Sequence, residues 1–213
     1  MPIVPYILIA LMAYLLGSIP TGFLVAKARG VDIRTLGSGN IGATNVLRHL
    51  GKKAGGFVLF MDALKGWCAV ALATRFVHLL FPSSSLMEPL QLCAGVCAIL
   101  GHNYTCWLYF KGGKGIATSA GVLLALVPWS LLIILAVWVI VFGLTRFVSL
   151  ASICASAALP VAAWITGESL TIIAITAGLA VLAIGKHRAN IKRLLEGTET
   201  RAGSKHSMAS EKS

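Results

Sequence analysis

Acid is what this sequence has least of. Seven aspartates and glutamates stand against eighteen lysines and arginines in 213 positions, and all charged residues together make up only 12%. Soluble domains carry about twice that share, which excludes a separate soluble domain. The net charge of +11 raises nucleic acid as a partner. That class is excluded too, because the basic residues sit between apolar runs and lack the interleaved aromatics of a single-strand binder. The first apolar stretch has no basic leader and is too long for a signal-peptide core, so it reads as a retained span. Five cysteines, Cys68, Cys93, Cys97, Cys106 and Cys154, lie in or beside apolar stretches. None forms a CxxC pair. Cys93 and Cys97 would share a helix face, but no partner completes a metal site, so they read as small core residues. No Ser-His-Asp or Cys-His set, HxxxxD signature or paired-histidine motif is present. The sequence therefore predicts no metal and no cofactor.

What remains is apolar. Hydrophobic residues make up 57% of the chain, and mean hydropathy is +0.86. Apolar runs cover about Ile3–Ala26, Gly55–Phe81, Pro89–Phe110, Ile116–Leu144, Val148–Thr166 and Leu170–Gly185. A spanning helix needs roughly 20 residues, so five runs fit one span each. Ile116–Leu144 is long for one and short for two. A break near Val127-Pro128-Trp129 would put every lysine and arginine except Arg75 on one face. Positive-inside bias then predicts an all-α integral membrane protein, a compact bundle of about seven transmembrane segments, some shortened. The N-terminus lies outside and the C-terminus and glycine-rich loops inside. Residues 1–195 read as one transmembrane domain, and 196–213 as a polar, disordered tail. No internal repeat is visible, and all polar loops gather on one face. Both points weigh against a transporter with alternating access.

Two of those loops carry dense polar chemistry. The first runs Leu36-Gly37-Ser38-Gly39-Asn40-Ile41-Gly42-Ala43-Thr44-Asn45, with Arg48 one turn beyond Thr44. It spells GxGxxG, but it follows a polar segment rather than a buried strand, so it is not a dinucleotide fingerprint. Its physics is still that of a phosphate cradle: glycines and Ser38 cup the anion, and Thr44, Asn45 and Arg48 open a helix whose N-terminus favours it. The second, Lys111-Gly112-Gly113-Lys114-Gly115, lacks the upstream glycine and the Ser/Thr of a P-loop. Lys114, set between glycines, reads as a phosphate contact. Lys111 reads equally as an interfacial anchor.

A third cluster, Lys186-His187-Arg188-Ala189-Asn190, closes the last run. His187 and Asn190 share a helix face. No carboxylate with clear spacing orients His187 as a base, so hydrogen bonding is the preferred role. Lys186, Arg188, Lys192 and Arg193 read as headgroup contacts. His102 reads as a satisfied structural histidine. Asp62 and Lys65, three apart inside an apolar run, are expected to pair, because a lone intramembrane charge costs about 2.5–3.5 kcal/mol. Ser149 and Ser152 stand at the inner mouth of a span, where either hydroxyl faces the site or bonds back along its helix.

In order and combination, several stretches resemble the PlsY family of bacterial acyl-phosphate:glycerol-3-phosphate acyltransferases. They are Gly17-Ser18-Ile19-Pro20-Thr21-Gly22, Gly37 through Arg48, Asp62-Ala63-Leu64-Lys65-Gly66, Gly101-His102-Asn103, Phe110 through Thr118, and His187 through Leu194 with Gly197-Thr198-Glu199. The resemblance covers nearly the whole chain. It implies a seven-span enzyme of the bacterial inner membrane with a cytoplasmic site. The enzyme would transfer a fatty acyl group from acyl phosphate to the 1-hydroxyl of glycerol 3-phosphate, giving lysophosphatidic acid and phosphate as the first step of membrane phospholipid synthesis. Its partners would be glycerol 3-phosphate, fatty acyl phosphate and membrane lipid. It implies catalytic roles for Ser38, Arg48, Lys114, His187 and Asn190. Substrate contacts fall to Gly37, Gly39, Asn40, Thr44, Asn45, Gly112, Gly113 and Ser149, and Glu199 takes a structural role. Residue types alone leave acyl-CoA open as the donor.

Overall fold

The computed structural model describes residues 3–80 and 86–203. Phe81, the linker Pro82–Ser85 and residues 204–213 lie outside them. The described residues are all-helical: α1 (Ile3–Ser18), α2 (Thr21–Lys27), α3 (Ala43–Leu80), α4 (Met87–Asn103), α5 (Ile116–Leu126), α6 (Pro128–Thr145), α7 (Val148–Ile165), α8 (Leu170–Lys186) and α9 (Arg188–Leu195), with short 3-10 turns at Ile33–Thr35 and Cys106–Leu108. The breaks have local causes. Proline disfavours helix at the residue before it, and the chain leaves the helical path at Ile19 before Pro20 and at Val127 before Pro128. The long run 116–144 is therefore two helices of 11 and 18 residues. Inside α3 the backbone kinks at Gly51, whose φ of 84° suits a residue without a Cβ. The kink sets a polar first stretch, with Thr44, Asn45 and Arg48, apart from the apolar remainder.

Large apolar side chains cover the outside of this bundle. Ile7, Leu11, Trp129, Val139, Trp164 and Val181 are all exposed, as a lipid-facing surface requires. Among the described residues, four segments are long and apolar enough to cross a membrane, and the pair α8–α9, bent by 58°, makes a fifth. The helix α4 has 17 residues and α5 only 11, shorter than a full crossing.

Among the described residues four core clusters form, and the two largest hold the bundle. One joins α1, α3 and α4 through Ile9, Ala13, Ala69, Ala73, Val77, Leu90, Ala94 and Ala98. The other joins α5, α6, α7 and α8 through Leu123, Ile134, Ala155, Leu159, Ala162 and Ile172. Small residues bring the helices to backbone contact. A Cβ on Gly17 would overlap the Ala98 carbonyl, and one on Gly121 would overlap that of Ala63. Those pairs set the α1–α4 and α3–α5 distances.

The helix ends sort by chemistry. Ser169 at the start of α8 donates to Glu88 at the start of α4, at 3.0 Å, and the hydroxyls of Ser130 and Thr166 share a 2.7 Å bond. At the opposite end, Lys186 donates to the Asn103 carbonyl at 3.1 Å, and Ser149 meets Glu199. The sequence predicts disorder over 196–213; residues 204–213 lie outside those described, and over 196–203 the structure differs. Residues 198–203 fold back across that polar end, with Arg48 donating to the Thr200 carbonyl at 3.1 Å and the Ala202 amide to the Arg146 carbonyl at 2.8 Å. Their lack of hydrophobic periodicity is no bar, because charge and backbone hydrogen bonds dock them.

Candidate active site

At the polar end a cleft of about 480 Å³ opens between three chain segments. Ser38 and Asn40 of the first glycine loop line one side, and Gly112, Gly113 and Lys114 of the second another. Leu182, Gly185, Lys186, Arg188, Ala189, Asn190 and Arg193, around the α8–α9 bend, close it with Tyr104. Six of the residues expected from sequence therefore come together: Ser38, Asn40, Gly112, Gly113, Lys114 and Asn190.

The others are near but differently employed. Asn45 is buried, and its amide clamps the first loop from inside. Its Nδ2 donates to the carbonyls of Ile33, Leu36 and Asn40 at 3.0–3.2 Å, and its Oδ1 accepts from the Ser38 amide at 3.3 Å. Its amide hydrogens are thus fully engaged within the loop, so Asn45 shapes the cradle. Gly37 and Gly39 adopt positive φ and let the loop double back; neither they nor Thr44 line the cleft. Arg48 is tied to Thr200 and does not line it either. Ser149 is buried and donates to Glu199 Oε1 at 2.7 Å, while Ser152 bonds back to the Val148 carbonyl.

Glu199 organises the other wall. Its Oε1 also accepts from Asn190 Nδ2 at 2.8 Å, and its Oε2 from Arg193 Nε at 2.7 Å. Asn190 Oδ1 in turn accepts from the Lys114 ammonium. A chain of contacts thus runs from a buried carboxylate through an amide to the lysine of the glycine loop. Burial alone would raise the Glu199 pKa, but the hydrogen bonds from Ser149, Asn190 and Arg193 outweigh it and hold the carboxyl below its ordinary value. Burial lowers the Lys114 pKa to about 8. The positive charges of Arg193, Arg48 and Lys186 push it the same way, while Glu199 opposes. A lysine short of counter-charge is one that an incoming phosphate would complete. His187 is buried, and its Nδ1 lies 2.8 Å from the Ala183 carbonyl. A carbonyl only accepts, so Nδ1 carries the hydrogen and Nε2 keeps the lone pair.

The geometry has the marks of an anion site. The family model for glycerol-3-phosphate acyltransferase matches residues 7–197. The chain belongs to the PlsY family of glycerol-3-phosphate acyltransferases. A glycerol-3-phosphate acyltransferase of Geotalea daltonii is 49% identical over 193 residues, covering 91% of this chain and 95% of that one. One of Geobacter sulfurreducens is 45% identical over 195 residues, covering 92% and 96%. Two crystal structures of PlsY (YgiH), an integral membrane glycerol 3-phosphate acyltransferase, superpose closely. The glycerol 3-phosphate form gives a TM-score of 0.84 at 41% identity, over 93% of this chain and 96% of that one. The lysophosphatidic acid form gives 0.81 at 40%, over 92% and 94%. This PlsY-family chain is an all-α integral membrane protein.

The cleft of this family member also holds residues that sequence reasoning assigned elsewhere. Lys186, Arg188 and Arg193, read as headgroup contacts, line it. A straight helix would have carried Arg188 and Arg193 away, but the bend at His187 lays α9 across the mouth. Lys186 also sits 4.4 Å from the Tyr104 ring centroid, a cation–π contact. Tyr104 itself carried no sequence signal.

Proposed function

We propose that this protein transfers a fatty acyl group from acyl phosphate to the 1-hydroxyl of glycerol 3-phosphate, at the cytoplasmic face of a bacterial inner membrane. The products are lysophosphatidic acid and inorganic phosphate. One observation carries the reading: Lys114, Lys186, Arg188 and Arg193 converge on one cleft beside the glycine loop. Two phosphate-bearing substrates repel each other, and a cleft with four cationic side chains offsets that repulsion. A bundle whose polar helix ends meet on one side supports seven segments with the N-terminus outside and the C-terminus inside.

Acyl phosphate is a mixed anhydride and needs no activation. The hydroxyl oxygen forms a bond to the acyl carbonyl carbon, the bond from that carbon to the phosphate oxygen breaks, and phosphate leaves with the electron pair. The hydroxyl proton passes to a phosphate oxygen of a substrate. Lys114 and the cleft arginines neutralise the phosphates; arginine does so bidentately. Backbone N–H groups of the glycine loops and Ser38 stabilise the developing oxyanion. His187 Nε2 and Asn190 orient the substrates by hydrogen bonding, and positioning supplies much of the rate. The acyl chain enters laterally from lipid. The test is a single turnover with radiolabelled acyl phosphate, quenched in denaturant. Phosphate and lysophosphatidic acid should appear one for one, with no acyl group on the protein. A trapped acyl-protein would overturn the direct transfer.

A further inference from the structure

Beneath the second glycine loop lies a buried polar layer that the proposed chemistry does not use. Asp62 and Lys65 of α3 and His102 of α4 are 2%, 5% and 5% exposed. Lys65 Nζ lies 2.8 Å from Asp62 Oδ1 and donates to the Ile19 carbonyl at 2.8 Å, at the break between α1 and α2. His102 Nδ1 stands 3.7 Å from the same Asp62 oxygen. On its other edge the imidazole abuts the loop: a Cβ on Gly113 would overlap His102 Nε2. The loop backbone is fastened there as well. The Gly113 amide donates to the His102 carbonyl at 3.0 Å and the Gly112 amide to that of Asn103 at 3.3 Å. Lys114 follows directly.

Such a layer is a poor choice for stability alone. Among the described residues, His102 Nδ1, both amide atoms of Asn103 and the Thr118 hydroxyl are buried and find no hydrogen-bond partner. Unpaired buried polar atoms are unfavourable, and ionisable groups inside membrane helices mark function by default. An apolar layer would hold α3, α4 and α5 together at lower cost. What this one provides is a rigid, wedge-shaped ring against the one residue that precedes the cleft lysine.

We propose that His102, braced by the Asp62–Lys65 pair, is a positioning residue: its ring sets the height of Gly113 and so the place of the Lys114 ammonium in the cleft. The inference rests on the reaction proposed above. It touches no substrate and moves no proton.

The test is a double-mutant cycle in the full-length protein, read as kcat, KM for glycerol 3-phosphate and melting temperature. His102→Ala lets the loop settle, so KM should rise at least tenfold while kcat stays within about threefold. Gly113→Ala drives a methyl into the ring and should also raise KM. In the double variant the methyl takes the vacated space, so the combined rise should fall at least fivefold short of the product of the single effects. His102→Gln, which still fills the gap, should recover most of the loss, and it decides the matter where His102→Ala does not fold. Single effects that simply multiply, or a lowered melting temperature with KM unchanged, overturn the proposal. If wild-type protein makes no lysophosphatidic acid, the reaction has failed and not the positioning. The same variants then read it through direct binding of glycerol 3-phosphate, where an unchanged affinity overturns it.

Discussion

The Lys114 ammonium donates to the side-chain oxygen of Asn190, joining the second glycine loop to α9. The other end of the same amide donates to Glu199. Asn190 thus transmits a carboxylate's position to a lysine without neutralising it. Asn190→Ala removes the acceptor and leaves Lys114 unplaced. We expect kcat/KM for glycerol 3-phosphate to fall at least about tenfold, roughly 1.4 kcal/mol, in steady-state assays. Asn190→Asp should do worse, because it sets a second carboxylate beside Glu199.

The pH dependence follows from Lys114. Its ordinary value of 10.5 is lowered to about 8. Below that pH the empty site carries the ammonium that a phosphate needs; above it the ammonium is lost. KM for glycerol 3-phosphate should therefore be flat near pH 7 and rise as pH passes through 8. In Lys114→Arg, which stays charged, the rise should move out of the assay range. A rise that persists there would assign the titration to another group.

Glu199 ties the segment after α9 to the bundle. Glu199→Gln loses the charge that Arg193 meets, and hydrogen bonds to charged groups are worth about 1.5–3 kcal/mol. The melting temperature should drop by several degrees at neutral pH. The sign with pH is fixed by the lowered value. The stabilisation is present above the ordinary carboxylate pKa near 4.5 and is lost as pH falls through the lower folded value, so wild type and variant should converge in acid. Truncation after Leu195 should abolish activity, while truncation after Gly203 should retain it.

Much of this was legible in the chain, and what was not has a common cause. Pro128 marks a break because proline acts locally; Pro20 makes another inside Ile3–Ala26, a run read as one unbroken span. Ser38 and Lys114 stand out because glycine-flanked polar residues between apolar runs have few other uses, and Asn190 because it shares a helix face with His187. Asn45 does not, since an asparagine that clamps carbonyls and one that binds a ligand have the same letter. Arg188 and Arg193 read as headgroup contacts because the 58° bend at His187 has no proline, and Gly185 beside it reads equally as a small residue of the last apolar run. The docking of residues 198–203 depends on Arg48, Arg146 and Arg193, far away or on another element, and no local pattern reports it.

His187 tests the absence of an enzymatic base. Its Nδ1–H is held by the Ala183 carbonyl, so only Nε2 is available. A general base contributes about 10²–10⁴-fold. His187→Gln, which hydrogen-bonds but does not titrate in this range, should keep activity within about tenfold. A loss beyond a thousandfold, with folding and glycerol 3-phosphate binding intact, would make His187 the proton acceptor.

The most direct test offers purified protein glycerol 3-phosphate with palmitoyl phosphate in one assay and palmitoyl-CoA in another, scoring lysophosphatidic acid and free phosphate. The account predicts product from the acyl phosphate alone, lost in Lys114→Ala. Product from the thioester, or none from either in protein that still binds glycerol 3-phosphate, would contradict it.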